Sequence, residues 1–185
     1  GSIYGDDSPS AYLEVKKKNA IALVAHTEGW TVDQLATLPL DGFEMYNLHA
    51  NTFLNVGPVA DLVLQVERGD FDGLPHPDLF LAAYAKFEDA RYLETWGSVL
   101  ARGVHRITTV GTDCHRNSLR SIAQDGERLD SYRRMMLSFS NHVLVTPNAD
   151  GGWDDRSLKA ALKAGRLYGA FEYLGYPEGF DVTAL

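Results

Sequence analysis

Four side chains in this 185-residue sequence share the chemistry of metal ligands and a common position: His26, His49, Asp113 and His115. Each stands just beyond a short apolar run. Residues 20–25 stop at His26, residues 42–48 lead into His49, and residues 104–110 run into Gly111-Thr112-Asp113-Cys114-His115. Imidazole nitrogens together with a carboxylate oxygen suit Zn²⁺, Mn²⁺ or Fe²⁺. Two such ions about 3.5–4 Å apart activate water and clamp both oxygens of a displacement, which is the chemistry of a hydrolase. In an extended segment, residues two apart face the same side, so Asp113 and His115 can enter one site while Cys114 points away. Asp113 and His115 are the catalytic candidates, and all four are metal candidates.

Convergence of these groups requires three strands side by side. Short continuous apolar runs mark buried parallel strands, whose carboxyl ends collect active-site residues. Neighbouring strands lie about 5 Å apart, within reach of one or two shared cations. Helix signals alternate with the strands. Ser8-Pro9 opens a helix that continues over 11–18, and Thr31 with Gln34 has capping-box spacing for a helix ending before Pro39. Residues 58–67 place Val59, Leu62, Val63 and Val66 on one face. Further helices are expected over 77–86, over 88–101 with a closing Gly103, over 130–138, and after a cap at Asp154 or Asp155. Residues 142–145 and 168–174 read as two more strands, while 116–128 are polar and carry no clear pattern. The alternation implies a parallel sheet, open or closed.

The remaining polar candidates read differently. His76, between Pro75 and Pro77, is a loop residue. His105 and His142 precede their apolar runs and so sit at the wrong strand ends. Glu28, two residues beyond His26, is within reach of a metal or substrate, but reads first as solvated surface charge. Strand parity sets Glu44 opposite Asn47 and His49, which makes it a structural ion-pair partner and leaves Asn47 to support the ligands. Cys114, beside the candidate ligands, could itself be a ligand but reads first as small buried filler.

Composition bounds the function. The balance of 17 basic against 25 acidic side chains gives a net charge of −8, which argues against nucleic acid and anionic membranes as partners. No apolar run approaches the roughly 18–20 residues that span a bilayer. One cysteine forms no internal disulfide, and a reducing cytoplasmic setting is expected. Gly1-Ser2 reads as a tag remnant and residues 179–185 as the start of a strand cut short.

Around the candidate ligands the sequence resembles the PHP superfamily, the polymerase and histidinol phosphatase group of metal-dependent phosphoesterases. The likeness rests on Leu23-Val24-Ala25-His26-Thr27-Glu28, on Gly42-Phe43-Glu44-Met45-Tyr46-Asn47 with His49, and on Gly111-Thr112-Asp113-Cys114-His115-Arg116. Ala164-Gly165-Arg166-Leu167-Tyr168 is similar to the family's following helix-to-strand segment. The Gly-Tyr-Pro-Glu-Gly-Phe tail is similar to a branch that includes carbaryl-type ester and amide hydrolases. The resemblance implies a distorted, seven-stranded, TIM-like β/α barrel holding two or three divalent ions (zinc, manganese or iron). His26 and His49 would serve one ion, Asp113 another and His115 an adjacent one. The implied substrate is a small-molecule ester, above all a phosphorylated one. The family's opening His-x-His motif has no counterpart before His26, so residues 1–185 are expected to be one PHP-like domain, truncated at its N-terminus and incomplete as a barrel. Such a half barrel exposes strand edges and predicts either a homo-oligomer or a rearranged sheet.

The missing motif also supports a competing function, a non-catalytic scaffold or partner-binding domain without a complete metal site. An open nucleotide-binding fold is disfavoured, because no Gly-x-Gly-x-x-Gly or Gly-Lys-Ser/Thr loop follows a strand. A Gly-x-Ser-x-Gly nucleophile elbow is absent as well.

Overall fold

The computed structural model describes residues 5–70, 78, 91–117 and 119–179. The expected helix over 77–86 apart from Asp78, His76, the first residues of the expected 88–101 helix and nearly all of the expected final strand lie outside them.

The three apolar runs form one parallel sheet in the order β1-β2-β3, with β1 at Leu23–Val24, β2 at Gly42–Asn47 and β3 at Ile107–Gly111. Helix α1, Pro9–Lys17, starts with proline in its first turn and ends on Lys16 and Lys17, which suit the negative end of the helix dipole. Helix α2, Val32–Thr37, carries the full capping box: Thr31 accepts from the Gln34 N–H, and the Gln34 side chain accepts from the Thr31 N–H. The sequence after β2 holds α3, Leu48–Leu54, and α4, Val56–Glu67; α5, Arg91–Leu100, precedes β3.

Two cores flank this framework. One gathers Val24, Leu35, Ala36, Leu40, Phe43 and Val99 between α2, α5 and the sheet. The other gathers Tyr46, Val59, Val66, Tyr92, Val110, Met135 and Phe139. Tyr46 is its hub, with ring centroids 5.3 Å from Tyr92, 5.6 Å from Phe139 and 5.5 Å from Phe171.

The seven-stranded β/α barrel expected from the family resemblance is not the observed fold. After β3 the chain makes α6, Tyr132–Met136, β4, Ser140–Val143, α7, Asp155–Lys163, and β5, Leu167–Ala170. Strands β4 and β5 pair antiparallel, Ser140 with Ala170 and Val143 with Leu167, as a separate two-stranded sheet. The run expected as strand over 168–174 turns after Ala170 into a short 3-10 helix, Glu172–Leu174. The physical cause lies at the outer edge of β3. The Val110 N–H donates to Asn141 Oδ1 at 2.9 Å, and Asn141 Nδ2 donates to the Val110 carbonyl at 2.8 Å. One side-chain amide thus occupies hydrogen-bonding groups that a fourth parallel strand would need.

Arg106 ties the base of β3 to α2. Its guanidinium donates to the carbonyls of Leu35 at 2.9 Å, Ala36 at 2.7 Å, Leu38 at 3.1 Å and Leu40 at 3.1 Å. These are the unpaired carbonyls at and just beyond the C-terminus of α2, where a cation is favoured. Burial pulls the Arg106 pKa down against the opposing charge of Asp41. A lysine ammonium cannot reach four carbonyls with a planar fork. Arg106→Lys is expected to lower stability by about 1–3 kcal/mol, read as a lower urea midpoint at unchanged slope.

Among the described residues, no helix is long and apolar enough to cross a membrane.

Candidate metal centre

The three parallel strands deliver their carboxyl ends side by side, and each hands over a candidate ligand. His26 follows β1 with a left-handed backbone, φ +56°. It enters the 3-10 turn Thr27–Gly29, which Thr27 anchors by donating from Oγ1 to the Glu44 carbonyl at 2.8 Å. His49 does not extend β2. It lies in the first turn of α3, whose N-cap is Asn47: Asn47 Oδ1 accepts from the Ala50 N–H at 2.8 Å. Asp113 and His115 follow β3, and Asp113 is also left-handed, φ +50°. Three non-glycine residues among those described have positive φ: His26, Asp113 and Asn19. Such conformations cost energy and gather at functional sites, where surrounding contacts hold them.

All four sequence candidates meet at one atom. Asp113 Oδ2 lies 2.8 Å from His49 Nδ1, 3.0 Å from His115 Nε2 and 3.1 Å from His26 Nε2. The ligand atoms of His49, Asp113 and His115 all lie within 4.8 Å of one another. The rings of His49 and His115 meet edge to face at 4.3 Å. The grouping implied by the resemblance, with His26 and His49 on one ion, differs from this geometry, which clusters His49 with His115 and joins His26 through Asp113. His49 is the least accessible of the three imidazoles, with 13% of its side chain exposed against 37% for His115 and 50% for His26.

The donor set fits a divalent cation. His115 Nδ1 is hydrogen-bonded to Asn117 Oδ1, so Nδ1 is the donor. In the neutral ring, Nε2 then holds a lone pair, and it faces a carboxylate oxygen. With a proton on Nε2 the 3.0 Å contact is a hydrogen bond donated to Asp113; without one, the two facing lone pairs suit a shared cation. Burial pushes the Asp113 carboxyl upward. Hydrogen bonds from His49 and His115 and the charges of His26 and His115 outweigh it, leaving its pKa below the ordinary carboxylate range.

Two carboxylates that the sequence reading assigned elsewhere border the cluster. The register shifts between Glu44 and Tyr46, so strict alternation along β2 fails there. Glu44 accordingly shares its Oε2 with Asn47 Nδ2 at 2.9 Å and the His26 N–H at 3.1 Å, instead of turning to the opposite face. Glu28 is no free surface charge: its Oε2 lies 3.4 Å from His26 Nδ1 and its Oε1 accepts from the Tyr92 hydroxyl at 3.2 Å. Burial, then the charge of Glu28 and its hydrogen bond, hold the Tyr92 pKa far above the ordinary phenol value, so Tyr92 acts as a donor. The Glu-x-x-Asn spacing was the available signal for Glu44; its capping and bulge geometry was not readable.

Gly111 allows this arrangement. A Cβ there would fall 1.8 Å from Glu44 Oε1. Gly111→Ala must therefore displace the carboxylate and disturb the bonds its Oε2 makes to His26 and Asn47. The expected outcome is a loss of about 1–3 kcal/mol in thermal or urea unfolding, together with weaker Mn²⁺ binding in a calorimetric titration.

The other polar candidates take structural roles. His142 Nε2 pairs with Glu172 Oε1 at 3.0 Å and its ring stacks on Tyr168 at 5.0 Å. His105 lies before β3, next to Gly165. Cys114 packs against the Tyr46 core and directs its thiol to the Tyr132 carbonyl at 3.7 Å; burial and the charges of Asp113 and Asp130 hold its pKa up. A second acidic group, Asp78, Asp125 and Glu127, is neutralised by Arg133 and Arg134.

Compared with family models, with curated proteins and with solved structures, the chain matches none.

Proposed function

We propose that this chain carries the metal centre of a hydrolase, a phosphoesterase of the kind that the PHP resemblance implies. One observation carries the reading: imidazole nitrogens from three separate segments converge on a single oxygen, Asp113 Oδ2, within 3.1 Å. His49, Asp113 and His115 would hold a divalent cation such as Zn²⁺, Mn²⁺ or Fe²⁺, with His26 joined to them through the Asp113 carboxylate. When bound, the cation supplies Lewis acidity and lowers the pKa of water toward neutrality.

The chain's own groups set up the rest. Asn117 fixes the His115 tautomer so that Nε2 is free to ligate. Asn47 orients the first turn of α3, and with it His49. Glu44 and Glu28 hold the His26 backbone and ring from either side. Hydrolysis joins the oxygen of water to phosphorus, breaks the bond from phosphorus to the alcohol oxygen, and returns a proton to the departing alcohol.

The test is metal content by mass spectrometry alongside turnover of p-nitrophenyl phosphate. Retained metal with chelator-sensitive turnover supports the reading, and neither metal nor turnover removes it. The scaffold reading draws on the same hydrogen bonds, because a carboxylate clasped by three imidazoles also pins α3 to the loop after β3. It predicts a folded protein that takes up no divalent cation and hydrolyses no ester.

A further inference from the structure

A cavity of about 220 Å³ opens against the segment that follows His26, whose ring Glu28 touches at 3.4 Å. It shares Thr27 and Glu28 with the segment that follows His26, and Tyr92 lines it as well. Trp30, Phe43, Met45 and Leu54 form an apolar wall over about half of it, and charged and hydroxyl side chains line the rest. Phe43 and Tyr92 are rigid parts of the two cores, 1% and 6% exposed, so this part of the wall is preformed. A cavity of about 150 Å³ with an apolar lining is enough to hold benzene. By volume the space takes one ring with a small substituent, laid against the apolar wall. Two carboxylates, Glu28 and Glu94, stand against one guanidinium, Arg91, which disfavours a second anionic group inside it.

We infer that this cavity receives the alcohol portion of the substrate, and that the portion is a single aromatic or cyclic ring without negative charge. The inference rests on the hydrolase reading, since it assigns the ester bond to the histidine cluster and the ring to the space beside Glu28. The substrate class is then a monophosphate ester of a one-ring, otherwise uncharged alcohol. Short alkyl phosphates leave the cavity unfilled and forgo that burial.

Two measurements separate the pocket from the chemistry. In the first, benzyl phosphate and methyl phosphate are compared as substrates of the wild-type chain and of Thr95→Trp. Thr95 lines the cavity from α5 and touches none of the proposed ligands. Burying the ring predicts a preference for benzyl phosphate on the order of ten- to a hundred-fold in kcat/KM. Thr95→Trp should erase that preference while methyl phosphate turnover stays unchanged; Leu54→Trp is the second filling variant should the first fail to fold. Equal kcat/KM for the two esters, or an equal fall for both in a folded filling variant, overturns the inference. In the second, benzyl alcohol binding is followed by ligand-observed NMR, which needs no catalysis. Binding that the filling variants abolish supports the pocket even where no ester is hydrolysed, an outcome that would remove only the hydrolase reading. Absence of binding to the wild-type chain overturns the pocket assignment.

Discussion

Asp113→Asn should cut ester hydrolysis by more than about a hundred-fold, beyond the range for residues that merely orient metal ligands. Asp113 is the one carboxylate shared by His26, His49 and His115, and the amide removes its charge while keeping its shape. Asparagine also tolerates the left-handed backbone at φ +50°, whereas alanine adds a conformational cost of roughly 1–2 kcal/mol. Asp113→Asn should therefore fold like the wild type and lose function, and Asp113→Ala should lose both function and some stability. Turnover of p-nitrophenyl phosphate and a urea midpoint, measured on both variants, separate the two effects. Wild-type turnover in a folded Asp113→Asn protein is incompatible with a ligand role.

The largest expected effect on stability lies away from the candidate metal centre, at Arg134. Its residue is 1% exposed, and its guanidinium meets Asp78 at 2.5 Å, Asp125, and Glu127 at 3.4 Å. Among the described residues its Nε has no hydrogen-bond partner, a sign that the site favours charge over full satisfaction. Breaking a buried ion pair from one side costs about 3–5 kcal/mol, because the partner charge is left behind. The acidic partners here are partly exposed and can rehydrate, which sets Arg134→Met near the lower bound, about 3 kcal/mol. That is a large fraction of the roughly 5–15 kcal/mol that holds a domain together. Neighbouring Arg133 is 47% exposed, and Arg133→Ala should cost about 1 kcal/mol or less. Urea unfolding of the two variants checks the contrast.

The parts of the fold that were readable share one property: they are local. Continuous apolar runs mark β1, β2 and β3, the Thr31–Gln34 spacing marks the start of α2, and the choice between Asp154 and Asp155 as the cap of α7 falls to Asp154 in the structure. The shared position of His26, His49, Asp113 and His115 followed from those runs. What was not readable depends on partners distant in the chain. The expected barrel gives way because Asn141, 31 residues from Val110, takes the β3 edge with a side chain. Helix α3 escaped notice because its start is a single asparagine cap at the end of a strand, with no apolar period to follow. Glu44 was assigned to the wrong side because a register shift breaks the two-residue alternation that strand parity assumes. Glu28 read as surface charge because its partner, Tyr92, lies 64 residues on.

Crystals soaked in Mn²⁺ or Zn²⁺ and measured at the metal absorption edge would test the proposed metal centre most directly. An anomalous peak within bonding distance of Asp113, His49 and His115 is the expected result. Density that leaves the three imidazoles hydrogen-bonded to Asp113 at saturating metal, with no peak among them, would contradict it.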